Sequence, residues 1–497
     1  MEVVDLRPLL ALVISLTCAV LVFVHGRRPF WRALWSISAA ALKFAVVWSM
    51  LPGVMQGTVY VYTVAEFPPG LNIGFRVDPM GMFFALVSST LWVIATVYTI
   101  GYMKGEKSPV RFFGFFALCV SSTVGIAFAN NLLTLFLFYE LLTIATYPLV
   151  IHRETPEALR AGRKYLVYTL GGGALVLLGI VLTHAAAGTL DFAAGGIIGL
   201  EAGRPLITAT FIALVAGFGV KAAIMPLHGW LPAAMVAPVP VSALLHAVAV
   251  VKAGAFGVMR TIYHVFGIDL MQAMDLTTWL GWLAAFTIIA ASLLALAQKN
   301  LKLRLAYSTI SQVSYIVLAT SLLTHFAAIA AVMHMANQGF AKITMFFVAG
   351  AIQRATGKTR IDQLDGIGRQ MPWTMAAFTV AALSFTGIPL FAGFVTKWFL
   401  SLGALNAGYW WFALVMITSG LLNAAYWLPI VYRAYFKDPG NGSGGAGDPP
   451  PVMLLPILVC AAYVVALGIT AEIPLMPFHV AQMAANAIFG NLSGTMD

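Results

Sequence analysis

The sequence predicts an all-α integral membrane protein of about fourteen transmembrane helices, arranged as two inverted five-helix repeats that contain broken helices. Composition is the first reason. Of 497 residues, 61% are hydrophobic and 9% charged, against about 45–50% and about 25% in ordinary soluble domains. The second reason is run length. Apolar runs of about 20 residues recur along the whole chain, which selects helices over barrel strands as the spanning element. The third is an internal echo: Ala216–Lys221 reads AGFGVK, and Ala392–Lys397, 176 residues later, reads AGFVTK.

Taken in order, the expected spans are roughly 9–25, 33–51, 80–102, 112–129, 131–151, 164–186, 207–225, 240–262, 276–297, 303–322, 324–351, 373–403, 409–433 and 452–471. The first run lacks a basic leader and a small-residue cleavage site, so it reads as a retained helix. Residues 57–77 alternate around Pro68-Pro69-Gly70 and predict a short external β-hairpin. Residues 441–451 (NGSGGAGDPPP) predict a flexible loop. After about residue 472 there is room for one interfacial helix at most.

Arg and Lys cluster in alternate loops: Arg27, Arg28 and Arg32; Lys104, Lys107 and Arg111; Arg153, Arg160, Arg163 and Lys164; Lys299, Lys302 and Arg304; Arg354, Lys358, Arg360 and Arg369; Arg433 and Lys437. By the positive-inside rule these loops are cytoplasmic and both termini lie outside. The 176-residue offset maps the fourth to eighth spans onto the ninth to thirteenth. Five spans per unit is odd, so the second unit must be inverted, and such repeats place ion sites near the midplane on interrupted helices. The expected organisation is N-terminal helices with the hairpin (1–111), a first repeat (112–262), a second repeat (276–435) and a loop, last span and tail (436–497).

Several chemistries are excluded. The formal charge is +10, but the basic residues lie in short loops where they set orientation, so no nucleic-acid partner is expected. Cys18, Cys119 and Cys460 are isolated, which leaves disulfides and metal centres unsupported. No phosphate-cradling glycine loop is present. Gly171–Gly173 sits within an apolar run and reads as close helix packing.

Buried ionisable residues carry the functional reading, because a charge in a span is costly and defaults to function. Glu140 is the only acid in NNLLTLFLFYELLTIATYPLV. Lys221 and Lys397 end the two echoed motifs and read as equivalent proton carriers; burial makes an amine able to take and release a proton near neutrality. Lys397 could instead snorkel to the interface. Lys252 lies mid-span, and His246, six residues earlier, is about 120° away around the helix. His246 and the helix-break residue His228 read either as path members or as packed histidines. His334, Gln338 and Lys342 share a face at i, i+4, i+8, as a wetted stripe or an interhelical seam. Pro226, Pro232, Pro238 and Pro240 break the chain between Lys221 and Lys252. Lys43 reads as structural or as a subunit contact, and Asp78 as a helix cap. No nucleophile–base pair or metal cage emerges, so proton relay is expected rather than bond making, with no cofactor.

At these residues the chain resembles a known family. NLLTLFLFYELLTIATYPL, GFGVKAAIMPLHGWLP, APVPVSALLHAVAVVKAG, LKLRLAYSTISQVSYI and TGIPLFAGFVTKW resemble the antiporter-like subunits of respiratory complex I and their Mrp cation/proton antiporter relatives, over about residues 75–437. AMVAPVPVSALLHAVAVVKAG and the chain length are most similar to the D-type subunits of Mrp antiporters. The tail is too short for the long lateral helix of the largest complex I relative. The resemblance implies two half-channels joined by a hydrophilic axis. Glu140 and Lys221 would pair in the first, Lys252 would connect, His334 and Lys342 would lie in the second, and Lys397 would end it. Broken helices are implied at 226–240 and near Gly387-Ile388-Pro389. Two departures stand out: Gln338 replaces a frequent histidine and cannot titrate, and Ala233 and Ala234 follow Pro232 where an acid is common.

The function implied is a subunit of a multi-subunit Na⁺ (or K⁺, Li⁺)/H⁺ antiporter in the cytoplasmic membrane. It would be a transporter subunit rather than an enzyme, with other membrane subunits as partners and H⁺ and a monovalent cation as substrates. The alternative is an ion-pumping subunit of a complex I-like or membrane-bound hydrogenase complex, without its own redox centre.

Overall fold

The computed structural model describes residues 1–67, 70–438, 447–469 and 477–490. The chain opens with strand β1 (Glu2–Val4), then the antiparallel pair α1 (Arg7–His25) and α2 (Pro29–Met55). The expected hairpin is present as β2 (Val59–Phe67) and β3 (Leu71–Val77), paired antiparallel. Its Pro68-Pro69 corner lies outside the described residues. β1 adds in parallel to β2, which the sequence did not signal: three residues are too few to show alternation.

The helical body follows: α3 (Pro79–Tyr102), α4 (Pro109–Phe128), α5 (Leu132–Val150), α6 (Pro156–Ala187) and α7 (Arg204–Ala222). A broken stretch carries the short α8 (Trp230–Ala233) before α9 (Val239–Ala243) and α10 (Val250–Arg260), which a π-helical turn at Leu244–Val248 joins and a second at Thr261–Phe266 extends into one rod, buried except at His264. Then come α11 (Ile268–Met274), α12 (Leu276–Ala297), α13 (Leu301–Ser321), α14 (His325–Thr356), α15 (Ile367–Gln370), α16 (Pro372–Thr386), α17 (Ala392–Asn406), α18 (Trp410–Phe436), α19 (Pro451–Ile469) and α20 (Pro477–Phe489).

Helix starts follow local chemistry. Asp78 accepts from Gly81 N at 2.7 Å, as its reading as a cap predicts. Asn131 accepts from Thr134 N at 2.8 Å, and Asn300 from Lys302 N at 3.0 Å. Pro stands in the first turn of α1 to α4 and α6, where its missing N–H costs nothing.

Among the described residues, 11 helical stretches are long and apolar enough to cross a membrane. α13 and α14 are long enough at 21 and 32 residues, but polar stripes lower their hydropathy. The span expected at 373–403 is two 15-residue halves, α16 and α17, separated by an irregular corner. The loop expected at 441–451 falls largely outside the described residues. α20 is more than an interfacial helix: Phe478, Ala481, Ala485 and Ile488 are buried, and it packs on α14 and α3.

Five helix starts recur at a near-constant interval. Pro109, Leu132, Pro156, Arg204 and Val239 begin elements whose counterparts begin at Leu276, Leu301, His325, Pro372 and Trp410, an interval of 167–171 residues. The AGFGVK/AGFVTK echo, at 176 residues, runs about two turns out of phase with these starts. Gly172 and Gly217 bring α6 and α7 together, since a Cβ on either would lie within 3.0 Å of the other's carbonyl oxygen. The close packing expected of the glycine triplet therefore holds for Gly172.

Candidate functional site

The first half of the site lies where α5, α6 and α7 meet. Lys221, in the last turn of α7, is fully buried and donates to the Tyr139 carbonyl, with Nζ 3.2 Å from the centroid of the Tyr139 ring. Glu140 is the next residue and half-buried. It interacts electrostatically with Lys221 without closing an ion pair, and its Oε1 has no hydrogen-bond partner among the described residues. Gly173 on α6 makes room for it, because any side chain there would overlap the carboxylate.

The first helix break follows. α7 stops at Ala222 because Ala223 turns left-handed at φ 57°. Pro226, His228 and Pro232 lie in the irregular stretch, and Pro238 immediately precedes α9. Backbone groups freed inside a membrane must find new partners, and side chains supply them. Trp230 Nε1 donates to Val220 O at 2.7 Å, Lys302 Nζ to Ala237 O at 2.6 Å, and Thr287 Oγ1 accepts from Met225 N at 3.2 Å. His228 is half-buried near the Tyr307 ring, 6.5 Å between centroids, and away from the buried centre.

At the centre, His246 sits in the π-helical turn and Lys252 in α10, at 0% and 1% exposure. Lys252 Nζ and both ring nitrogens of His246 lack a hydrogen-bond partner among the described residues. Gln338 Nε2 donates to His246 O at 3.2 Å, so Gln338 ties α14 to this turn.

In the second half, α14 presents His334 and Lys342 two turns apart. Lys342 Nζ donates to Ser308 Oγ at 2.8 Å and lies 4.3 Å from the Phe385 ring centroid. His334 stacks on Tyr315 at 5.1 Å, and neither of its nitrogens has a hydrogen-bond partner among the described residues. A row at i, i+4, i+8 drifts about 40° per step at 3.6 residues per turn; His334 and Lys342 both meet α13, at Tyr315 and Ser308, while Gln338 between them bonds to the His246 carbonyl.

Lys397 is placed differently from Lys221. Lys221 ends the helix before its break, whereas Lys397 lies in α17, after its break. Its Nζ reaches back to Phe385 O at 2.7 Å and Thr386 O at 2.9 Å, the last carbonyls of α16. A cation there meets the negative helix end, so Lys397 caps α16 instead of snorkelling, and the two lysines are not equivalents. Gly387, at φ 88°, ends α16, and a Cβ on it would come 2.8 Å from Lys397 Cδ. Pro389 is exposed in the corner. Cavities of about 420 Å³ beside Lys397 and Gly387, and about 240 Å³ beside Gly219 and Pro226, open at the two breaks.

Sequence reasoning missed Phe385, which presents its ring to Lys342 and its carbonyl to Lys397. It also missed two buried hydrophilic rows, Ser308, Gln312 and Tyr315 on α13, and Ser419, Asn423 and Tyr426 on α18, which hydrogen-bond to each other. Both are spaced i, i+4, i+7, a signal readable in the sequence. Lys43 lies apart from this axis. It donates to Ser15 Oγ at 2.8 Å and Val120 O at 3.2 Å, pinning α2 to α1 and α4.

Fold and site together define a polytopic membrane protein with a row of buried titratable side chains passing between two broken helices. Residues 129–422 match the model of the NADH:quinone oxidoreductase/Mrp antiporter transmembrane family, and residues 67–113 that of the complex I chain 5 N-terminus. The chain belongs to this family. It is 32% identical over 483 residues to the N-type subunit of NADH-quinone oxidoreductase from Desulforudis audaxviator, covering 94% of this chain and 96% of that protein. It is 28% identical to the D-type subunit of the Na(+)/H(+) antiporter from Alkalihalophilus pseudofirmus, covering 88% and 90%. A chain of the membrane-bound sulfane sulfur reductase, an archaeal respiratory membrane complex, superimposes with a TM-score of 0.88 at 25% identity, covering 97% of this chain and 98% of that one.

Proposed function

We propose that the chain is the proton-translocating membrane subunit, of the D type, in a multi-subunit Na⁺ (or K⁺, Li⁺)/H⁺ antiporter. The observation that carries this is the set of buried Lys252, His246 and His334 nitrogens with no hydrogen-bond partner among the described residues. Leaving buried polar groups unpaired is costly, so water must serve them, and water between titratable groups conducts protons. Protons would pass by Glu140 and Lys221, through His246 and Lys252, to His334, Lys342 and Lys397. The two five-helix units would be inverted half-channels, with both termini outside by the positive-inside rule. Half-buried Glu140 and Lys397, at opposite ends of the row, favour membrane partner subunits there.

The NADH-quinone oxidoreductase relative favours a second reading, an ion-pumping subunit of a redox-driven complex. One experiment separates them. Inverted vesicles carrying the complete complex are energised by respiration, and a ΔpH dye is followed on adding Na⁺, K⁺ or Li⁺. The antiporter reading expects cation-specific collapse of the gradient, lost in Glu140→Ala and Lys221→Ala although both assemble. Collapse retained in both assembled variants defeats the half-channel assignment. Pumping seen only during redox turnover moves the protein to the second reading.

A further inference from the structure

We propose that Ser308, Tyr426 and Asn423 form a hydrogen-bonded chain whose direction charged Lys342 fixes and which stabilises that charge. This rests on the reading of Lys342 as a proton carrier. Tyr426 OH lies 3.1 Å from Ser308 Oγ and is also hydrogen-bonded to Asn423 Oδ1. Asn423 Nδ2 is committed to Ser419 O at 2.7 Å, which fixes the amide with its oxygen toward the tyrosine. Ser419 Oγ accepts from Tyr315 OH at 2.7 Å, and the Tyr315 ring stacks on His334. All five polar side chains are buried: Ser308, Tyr315, Ser419, Asn423 and Tyr426 are each at 0% exposure.

The donor count favours the charged lysine. Tyr426 has one O–H and two acceptors in reach; Ser308 has one O–H; Asn423 Oδ1 can only accept. With Lys342 charged, its ammonium donates to Ser308, Ser308 donates to Tyr426, and Tyr426 donates to Asn423. Every member is then satisfied. A neutral amine adds a lone pair but no donor: if it keeps donating to Ser308, its own lone pair is unserved, and if Ser308 turns to it, Asn423 Oδ1 loses its donor. A stranded buried acceptor is unfavourable either way, so the chain favours the charged lysine. The other groups acting on Lys342 are the Phe385 and Trp427 rings, Lys252 on α10, and the histidines His334 and His246; none is a carboxylate. The hydroxyl chain is therefore the device, among the described residues, that steadies the positive charge through hydrogen bonds. Ser308, Tyr426 and Asn423 act as positioning residues.

The test measures the pH profile of cation-induced gradient collapse in vesicles, together with assembly of the complex. Tyr426→Phe should assemble and move the alkaline limb toward acid by about half to one pH unit, the worth of one hydrogen bond. Ser308→Ala should move it the same way, and Ser308→Thr should restore the wild-type profile. Asn423→Ala serves if Tyr426→Phe does not assemble. An unmoved limb in the assembled Tyr426→Phe or Ser308→Ala variant, or Ser308→Thr matching Ser308→Ala, overturns the chain. Lys342→Ala separates the levels: if it transports normally, the carrier reading fails. If it is silent while the Tyr426→Phe profile stays put, only the chain fails.

Discussion

Replacing Asp78 strands a buried cation. Arg260, at the end of α10, is 1% exposed, and both of its terminal nitrogens bond to the Asp78 carboxylate, Nη2 to Oδ1 at 2.8 Å. The same carboxylate caps α3. Burial alone pushes the Asp78 carboxyl up, but Arg260, with help from His264 and Gly81 N, outweighs it and holds the group at about 2 against an ordinary 3.8. At about 1.4 kcal/mol per pH unit, the charged form contributes about 2 kcal/mol to folding. Asp78→Asn keeps a capping oxygen and should lose about that much. Asp78→Ala also leaves the guanidinium unpaired and should lose about 3–5 kcal/mol.

The sign with pH follows from a lowered folded value. The contribution is complete above 3.8 and disappears as pH falls through about 2. Unfolding of the purified complex in detergent, monitored from pH 7 downward, should show wild type and Asp78→Asn converging across that window. An Asp78→Ala protein within about 0.5 kcal/mol of wild type at neutral pH, the range of an ordinary surface change, refutes the reasoning.

Three further outcomes are expected. Gly387→Ala places a side chain at φ 88° and against Lys397, costing about 1–2 kcal/mol in backbone strain and slowing cation-induced gradient collapse in assembled complex; full rates at unchanged stability would contradict it. Lys302→Met removes the donor to Ala237 O, costing about 1–3 kcal/mol, and should speed hydrogen exchange around Trp230–Val239 while leaving Pro372–Thr386 as it was; uniform or absent acceleration counts against that pin. Lys43→Met keeps the buried volume and lies off the titratable row, so vesicle transport should stay at wild-type level; its loss in assembled protein would bring Lys43 into the path.

The membrane class, most helix positions, the β-hairpin and the Asp78 cap were readable because each rests on local chemistry: apolar run length, alternation, and one side chain bonding its own helix. The buried titratable residues were readable because charge inside apolar runs is conspicuous. The repeat register was not. A six-residue echo in a composition rich in alanine, glycine and apolar residues carries little information, and only the helix starts reveal an interval of 167–171. The rows on α13 and α18 escaped because serine, tyrosine and asparagine are unremarkable in apolar helices until a lysine is seen against them.

By itself the sequence determined that this chain spans a membrane, where the first helix break falls, and that Lys221, Lys252, His246, His334 and Lys342 are buried. Burial follows from the free energy of placing apolar runs and charges in hydrocarbon, which depends on the residues themselves. Only the tertiary structure decided the partners: that Lys397 caps α16, that Lys221 bonds to the residue before Glu140, and that Lys342 meets Ser308 and lies against the Phe385 ring. Those choices depend on how helices distant in sequence are rotated and set against one another, and a hydrogen bond formed over about 3 Å is invisible until that packing is fixed.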